Sequence, residues 1–448
     1  MGMTIVYKWK LIIRYLYRRP VCITAVLAVA LCVFIVAVVM SVMNGLVDEF
    51  KNTNHADVGD CIISNQSVVG FGYYEDFIRE FGEQEFVTGL SPAVKSYGLI
   101  TLAGEEHNVG VEIIGIDPIA HSRVTNFGQT LHFRKDNPEL AFSPVYSPGL
   151  AGCVIGVDLM PESEYLYRTS PMMHEFIISC FPLTAKGALA RADTDVVSSK
   201  SFYYSDVSQT GLARVDGSTV YIDLKNAQLL AMAGEKRVNA IYIKFADGVS
   251  LEQGVSKVRQ LWENYVTGKT GSPDGFLLSD VMVQSWKQYR RSSIAAMEKE
   301  QVMMTILFYF LGIVTIFIIF VVFYMIVSHK TKDVGTLKSI GVSGVSIIGI
   351  FCGLAVLIAV IGSVLGEIAG WLFLNHINRI EDWLYVHFGF QLWDRTIYAI
   401  GEIPNKLTWR LAATVLASAI IVCLAGAYFP ARRAAKLKPI DALQVNQL

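Results

Sequence analysis

The chain has 448 residues, 53% of them hydrophobic and 17% charged, with a formal net charge of −1. Soluble domains carry about 25% charged residues, so the composition speaks against an ordinary soluble protein and for insertion into a bilayer. Without a basic excess there is no electrostatic footprint for a nucleic-acid partner.

Residues 7–19, YKWKLIIRYLYRR, alternate basic residues with aromatics and aliphatics. The segment 1–20 is therefore expected to lie as an amphipathic helix on the inner membrane surface, and it also serves as a positive-inside anchor. Four uncharged stretches follow: Val21–Met43 (23 residues), Val302–Val327 (26), Val342–Gly366 (25) and Leu411–Phe429 (19). A helix of about 20 residues crosses a hydrocarbon core of about 30 Å, and backbone groups in lipid must be satisfied within the segment, so each stretch predicts a membrane helix. The spans are placed at 21–43, 302–327, 342–374 and 408–429. The first is too long for the apolar region of a cleaved signal peptide. Leu31 before Cys32 is too large for a lipidation site, so an uncleaved signal anchor is expected.

Orientation follows from the short flanks. Lys8, Lys10, Arg14, Arg18 and Arg19 precede the first span, Lys330, Lys332 and Lys338 follow the second, and Arg432, Arg433, Lys436 and Lys438 follow the fourth. Both termini and the loop 328–341 are thus expected inside, and residues 44–301 and 375–407 outside. The fold class that results is a membrane α-helical protein with four transmembrane helices and a large α+β extracytoplasmic domain between helices 1 and 2.

In the outer region, Asp60–Asn65, Val111–Ile116 and Ala240–Phe245 read as strands. Tyr74–Phe81 and Leu251–Trp262 read as amphipathic helices, and Phe86–Leu102 as strand-like alternation broken by Pro92. Strand–helix–strand patterns at both ends suggest a split α+β sandwich. Residues 119–235, richer in Pro, Ser and Gly, read as an inserted β-rich subdomain with short runs at Gly152–Val157, Glu175–Ser179 and Thr219–Leu224. Cys61, Cys153 and Cys180 allow at most one internal disulfide, and spacing does not choose the pair.

Motifs for chemistry are weak. Gly268-Lys269-Thr270 ends like a phosphate-binding loop, but Glu263 stands where that loop needs a glycine, so an ordinary turn is expected. Asn65-Gln66-Ser67 is a chance-level sequon. His376 and His387 flank the short outer loop and suit a surface role. Glu367 near the outer end of the third span suits an interfacial acid. No nucleophile–base pair, metal cluster or cofactor motif is seen, so catalytic, cofactor and metal residues are all set at none.

A more specific pattern lies at the edges of the spans. It comprises Ser41-Val42-Met43-Asn44-Gly45-Leu46, Gly115-Ile116-Asp117-Pro118, Asp216 to Ile222 with Leu224 and Ala227-Gln228, and Met297-Glu298-Lys299. Lys330-Thr331-Lys332-Asp333-Val334-Gly335-Thr336-Leu337-Lys338-Ser339-Ile340-Gly341 and Pro430-Ala431-Arg432-Arg433-Ala434-Ala435 with Pro439, Ala442 and Leu443 complete it. With one span, a large outer domain and three more spans, this resembles the MacB/FtsX-type ABC permeases, most of all the lipoprotein-releasing LolC/LolE type. The likeness is weak over 121–215.

The resemblance implies a multi-pass protein of the bacterial inner membrane that pairs with a second permease and with a separate cytoplasmic ATPase. It further implies lipoprotein cargo and a periplasmic carrier. A coupling helix over Thr331–Ser339, ended by Gly341, would carry Lys332, Asp333, Gly335, Thr336, Leu337 and Lys338. A stalk would hold Trp286, Met297, Glu298 and Lys299, and 430–448 would form the cytoplasmic tail. An FtsX-like scaffold that activates a periplasmic partner and a MacB-like efflux component are the alternatives.

Overall fold

The computed structural model describes residues 20–65, 70–102, 108–159, 173–180, 198–231, 236–269, 271, 275–389 and 403–436. The amphipathic segment expected before Pro20, the middle of the sequon, Thr270, much of the outer loop after Gly389 and the tail beyond Lys436 lie outside these residues. The chain divides into two compact units, with boundaries at Asp48/Glu49 and Ala295/Ala296.

The membrane unit is built on four helices long and apolar enough to cross a bilayer. They are α1 (Pro20–Val58), α7 (Arg291–His329), α9 (Gly344–Phe388) and α10 (Trp409–Lys436). Three run well past their uncharged stretches, because the flanking Asp, Glu, Lys and Asn residues interrupt apolarity and not helicity. Thus α9 continues beyond 374 to Phe388 and stops at Gly389, whose φ of 62° is left-handed. Small residues set the packing. A methyl group at Gly366 would fall 2.5 Å from the Ala30 carbonyl, and one at Gly362 2.9 Å from Val29. At Gly426 of α10 it would fall 2.7 Å from the carbonyl of Ile316 on α7. The core below these contacts includes Ile319, Phe323, Ile347, Phe351, Leu354 and Ile358.

The outer unit contains one nine-stranded sheet, with strands β1 (Cys61–Asn65), β2 (Val87–Leu102), β3 (Asn108–Ile116), β4 (Gly152–Gly156), β5 (Glu175–Cys180), β6 (Ser198–Ser208), β7 (Thr219–Asp223), β8 (Ala240–Phe245) and β9 (Val281–Ser285). The strands from the two ends of the region, β8, β1 and β9, lie side by side in antiparallel register. The order β3-β7-β4-β6-β5-β2, with an additional β3–β2 pairing, returns on itself as a ring of six. The stretch 119–235 therefore supplies β4 to β7 to the same sheet.

Strand β2 runs through Pro92 instead of breaking there. Its pairing with β3 starts only at Ala93, so the missing N–H of Pro92 falls where β3 offers no partner. Alternation then builds two cores, one on each face. Ile63, Ile241 and Ile243 join Phe77 of α2 (Tyr74–Phe81) and Trp262 of α5 (Leu251–Lys269). Ile62, Tyr242, Tyr221 and Val124 of α3 (Pro118–Val124) join Trp286 on the other side. Gly115 of β3 lies where an added methyl would fall 2.0 Å from Ala227 of α4 (Leu224–Leu230). Gly268 and Lys269, expected in a turn, instead form the last residues of α5, where Lys269 reaches Asp76 at 3.2 Å. Cys61, Cys153 and Cys180 are buried free thiols. Burial pushes all three thiols up, Cys61 to about 12 and Cys180 to about 11.

His121 sits in the second core, with Nδ1 3.0 Å from Ser91 Oγ and its ring edge-on to Tyr242. Burial, aided by Lys95 and opposed by Asp57 and Asp117, pushes the imidazole from its ordinary 6.5 down to about 4. The unfolded chain then binds the extra proton between these values, so stability falls as pH drops from 6.5 to 4, by on the order of 3 kcal/mol. We expect thermal unfolding of the detergent-solubilised protein to show this acid slope and His121→Gln to flatten it. Equal slopes in both proteins would place the acid sensitivity elsewhere.

Candidate functional site

Two places are candidates for function, one in each unit. The first is the junction between β9 and the helix that follows it. Strand β9 ends in a capping box: Ser285 Oγ accepts from the Gln288 N–H at 3.3 Å, and the Ser285 N–H donates to Gln288 Oε1 at 3.1 Å. This starts the short helix α6 (Trp286–Tyr289), and α7 follows one residue later. Buried Trp286 stacks on His55, near the end of α1, with ring centroids 4.8 Å apart. Its backbone N–H donates to the Asp60 carbonyl at 3.1 Å. His55 Nε2 lies 2.7 Å from Asp60 Oδ1, and Asp60 Oδ2 accepts from the Phe245 N–H at 2.8 Å, with Lys244 3.7 Å away. Burial raises the Asp60 carboxyl, but these hydrogen bonds and the Lys244 charge outweigh it and hold the group below the usual carboxylate range.

Next to this contact Arg290 forms an ion pair with Asp57, the partners being 233 positions apart in sequence. Burial works against the Arg290 charge, and Asp57 more than compensates. Lys95, on β2, donates to Tyr289 Oη at 2.7 Å and lies over the Tyr242 and Tyr289 rings at 5.2 and 5.1 Å. The last turn of α1, the lead-in to α7 and the centre of the sheet thus share one polar network inside the outer unit.

The second place is the loop after α7. Helix α8 (Thr331–Ser339) ends in a Schellman closure. The Val342 N–H donates to the Leu337 carbonyl and the Gly341 N–H to the Lys338 carbonyl, each at 3.0 Å, with Gly341 at φ +92°. Val334 and Gly335 are buried, and Val334 belongs to the same apolar cluster as Ala431 and Ala434 of α10. Lys330 pairs with Asp333. Lys332 and Thr336 are exposed, and Leu337 and Lys338 are half-buried. Ile340 and Val345, just before and after the Gly341–Ser343 bend, are 76% and 81% exposed.

The expected residues thus fall in two groups. Lys332, Asp333, Gly335, Thr336, Leu337 and Lys338 share α8, with Gly341 closing it. Met297, half-buried, and Glu298 and Lys299, both exposed, lie on α7 in the membrane unit, whereas Trp286 is in the outer unit. The sequence reading missed His55, Asp57, Asp60, Lys95 and Arg290, which are ordinary surface types in sequence and acquire partners only through the sheet. It quoted Ile340 only as part of the Lys330–Gly341 motif and passed over Val345, although two aliphatics at a polar loop were a signal available in the sequence. Among the described residues no group of three His, Cys, Asp or Glu side chains is placed to hold a metal.

Residues 305–439, which include α8 and all of α9 and α10, match the family model described as FtsX-like permease C-terminal. This stretch of the chain is an FtsX-like permease domain. Over 425 residues the chain is 24% identical to the lipoprotein-releasing system transmembrane protein LolC of Neisseria meningitidis, covering 94% of this chain and 93% of that protein. It is 21% identical over 421 residues to the protein of the same name from Xylella fastidiosa, covering 94% and 92%. Among solved structures, the periplasmic region of MacB from Actinobacillus actinomycetemcomitans is matched over 53% of this chain and 95% of that chain, at 12% identity and a TM-score of 0.31.

Removing one partner of a desolvated ion pair leaves the other charge stranded. We expect Asp57→Leu or Arg290→Met alone to destabilise the protein by about 3 kcal/mol, and the two together to cost clearly less than the sum of the singles. Urea unfolding of the four proteins checks this; additive costs would show that the two side chains act independently.

Proposed function

We propose that the permease converts ATP-driven movement at its cytoplasmic face into work on the outer side of a bacterial inner membrane, and that this work is the release of lipoproteins. The LolC proteins, similar over 94% of the chain, are named for lipoprotein release, which supports the choice of cargo. The observation that carries the mechanical reading is α7. It is one unbroken helix of 39 residues, about 58 Å at 1.5 Å per residue. It starts directly after the Trp286–Arg290 network and ends directly before α8. A continuous hydrogen-bonded helix transmits displacement along its axis without needing a channel for solute.

In this reading a separate ATPase docks on the loop 328–341. Exposed Ile340 and Val345 offer an apolar knob, Lys332 and Thr336 a polar rim, and the Schellman closure a fixed shape. Packing of Val334 against α10 then spreads a push on α8 into the helix bundle. Two permease chains, identical or related, would share two ATPase copies. The stalk residues Met297, Glu298 and Lys299 lie on the part of α7 between the network and the apolar run, and they fix where the rod leaves the bilayer.

The test is reconstitution of the permease with its ATPase in proteoliposomes that carry a fluorescent triacylated lipoprotein. Lys338→Glu, and separately Leu337→Pro, should leave membrane insertion and basal ATP hydrolysis intact and lower lipoprotein release by at least about tenfold, equivalent to about 1.4 kcal/mol in the coupled step. Unchanged release in both variants would reduce the loop to a topogenic anchor. Failure to co-purify with any ATPase would overturn the reading altogether.

A further inference from the structure

The nine-stranded sheet has an open edge, and that edge is strand β9. Among the described residues β9 pairs only with β1. Every second residue of an antiparallel strand turns its N–H and C=O toward a given neighbour. The Trp286 N–H bonds the Asp60 carbonyl, which makes Ile62↔Gln284 and Ser64↔Met282 the bonded pairs. Val281, Val283 and Ser285 therefore turn their backbone groups away from β1. The Ser285 N–H is taken by the Gln288 side chain. The Val283 carbonyl receives only a long contact, 3.4 Å, from Arg259 Nη2 on α5. The Val283 N–H and both groups of Val281 face outward, without a partner among the described residues.

This edge lines a groove of about 590 Å³ together with Arg259, Trp262, Gln284, Gln288 and Arg291. Natural edge strands are blunted by lysine, proline or a bulge. The β9 sequence Val-Met-Val-Gln-Ser has none of the first two, keeps regular register with β1, and exposes Met282 at 38%. The groove carries two guanidinium groups, Arg259 and Arg291, against one carboxylate, Glu263. Both arginines are exposed, and neither forms an ion pair among the described residues.

The geometry points to β9 as a docking edge for an extended, acidic segment of a partner protein, added as a tenth strand. The segment's backbone bonds Val281 and Val283. Its carboxylate takes the Arg259 guanidinium in a charge-assisted bond, which is stronger than the long contact that Arg259 makes now. Arg259 thereby leaves the Val283 carbonyl free for the incoming N–H, so acid and strand are recognised together. Arg291 supplies the second positive charge. The capping box joins this edge to Trp286, so an occupant sits within a few residues of the Asp57–Arg290 network. The inference concerns the outer unit alone and holds whatever the cargo of the permease.

The experiment uses the full chain in lipid nanodiscs and a fluorescein-labelled Val-Glu-Val-Glu-Val peptide, followed by anisotropy. Comparison peptides carry Lys in place of Glu, or N-methyl groups on alternate amides. We expect saturable binding of the acidic peptide and binding at least about tenfold weaker for both comparison peptides, because one loses the charge match and the other the ladder. Arg259→Glu with Arg291→Glu should invert the preference toward the lysine peptide. Val281→Pro, which removes an outward donor and no bond to β1, should weaken binding with unchanged thermal stability. Equal binding of the N-methylated peptide would mean charge adhesion without strand addition and would overturn the proposal. So would the lack of any saturable binding, the result expected if a second copy of the chain already covers the edge.

Discussion

The outer unit depends on one desolvated charge pair. Asp57 closes α1 and Arg290 opens the way into α7, and they meet on the same face of the sheet. A bare guanidinium or carboxylate in that position would be strongly unfavourable. The sheet therefore has to hold its partners in place: the Trp286–His55 stack, the Asp60 hydrogen bonds and the Lys95–Tyr289 contact each fix one side of the pair. Apolar packing alone would bring the two chain ends together with some freedom to slide. The ion pair and its neighbours remove that freedom, because hydrogen bonds and rings are directional where hydrophobic contact is not.

The membrane unit solves the complementary problem without charge. Lipid gives no hydrophobic drive for helix association, so α1 and α9 approach through Gly362 and Gly366, and α10 meets α7 through Gly426. Removing side chains lets backbones and Cβ atoms touch along the helix, and dispersion over that length replaces the missing drive. Uncharged polar contacts add to this, Gln301 Nε2 on α7 donating to Asn44 Oδ1 on α1 at 2.7 Å, and at the loop Val334 of α8 joins the apolar cluster that holds the alanines of α10.

Much of this was legible in the sequence, for physical reasons that can be named. Spans announce themselves because 19 to 26 residues without charge have no other use. The short helix Thr331–Ser339 was legible because Gly341 follows a helix-forming run that starts after a polar break. The strands at both ends of the outer region were legible as apolar runs such as Ala240–Phe245. What stayed hidden depends on long-range pairing. Pro92 looks like a strand breaker until the start of the β3 partnership at Ala93 is known. The closure of β2, β3, β7, β4, β6 and β5 into a ring rests on one 16-residue strand, β2, which pairs with β3 and β5 inside the ring and with β8 outside it, and no local pattern encodes that. Asp57 and Arg290 are two unremarkable surface residues until β1 and β9 bring their flanks together.

The three buried thiols of the outer unit give the protein a built-in record of its own openings. Cys61 lies on β1, Cys153 on β4 and Cys180 on β5, so they report on the three-strand flank and on two places in the ring. Only a thiolate reacts readily, and burial keeps each of them protonated, so in the closed sheet all three are silent. Detachment of a strand exposes the sulfur that the strand carries. The rate at which each cysteine is alkylated therefore measures local opening of one named strand, and a working cycle that loosens one part of the sheet would write a different labelling pattern from one that moves it as a rigid body.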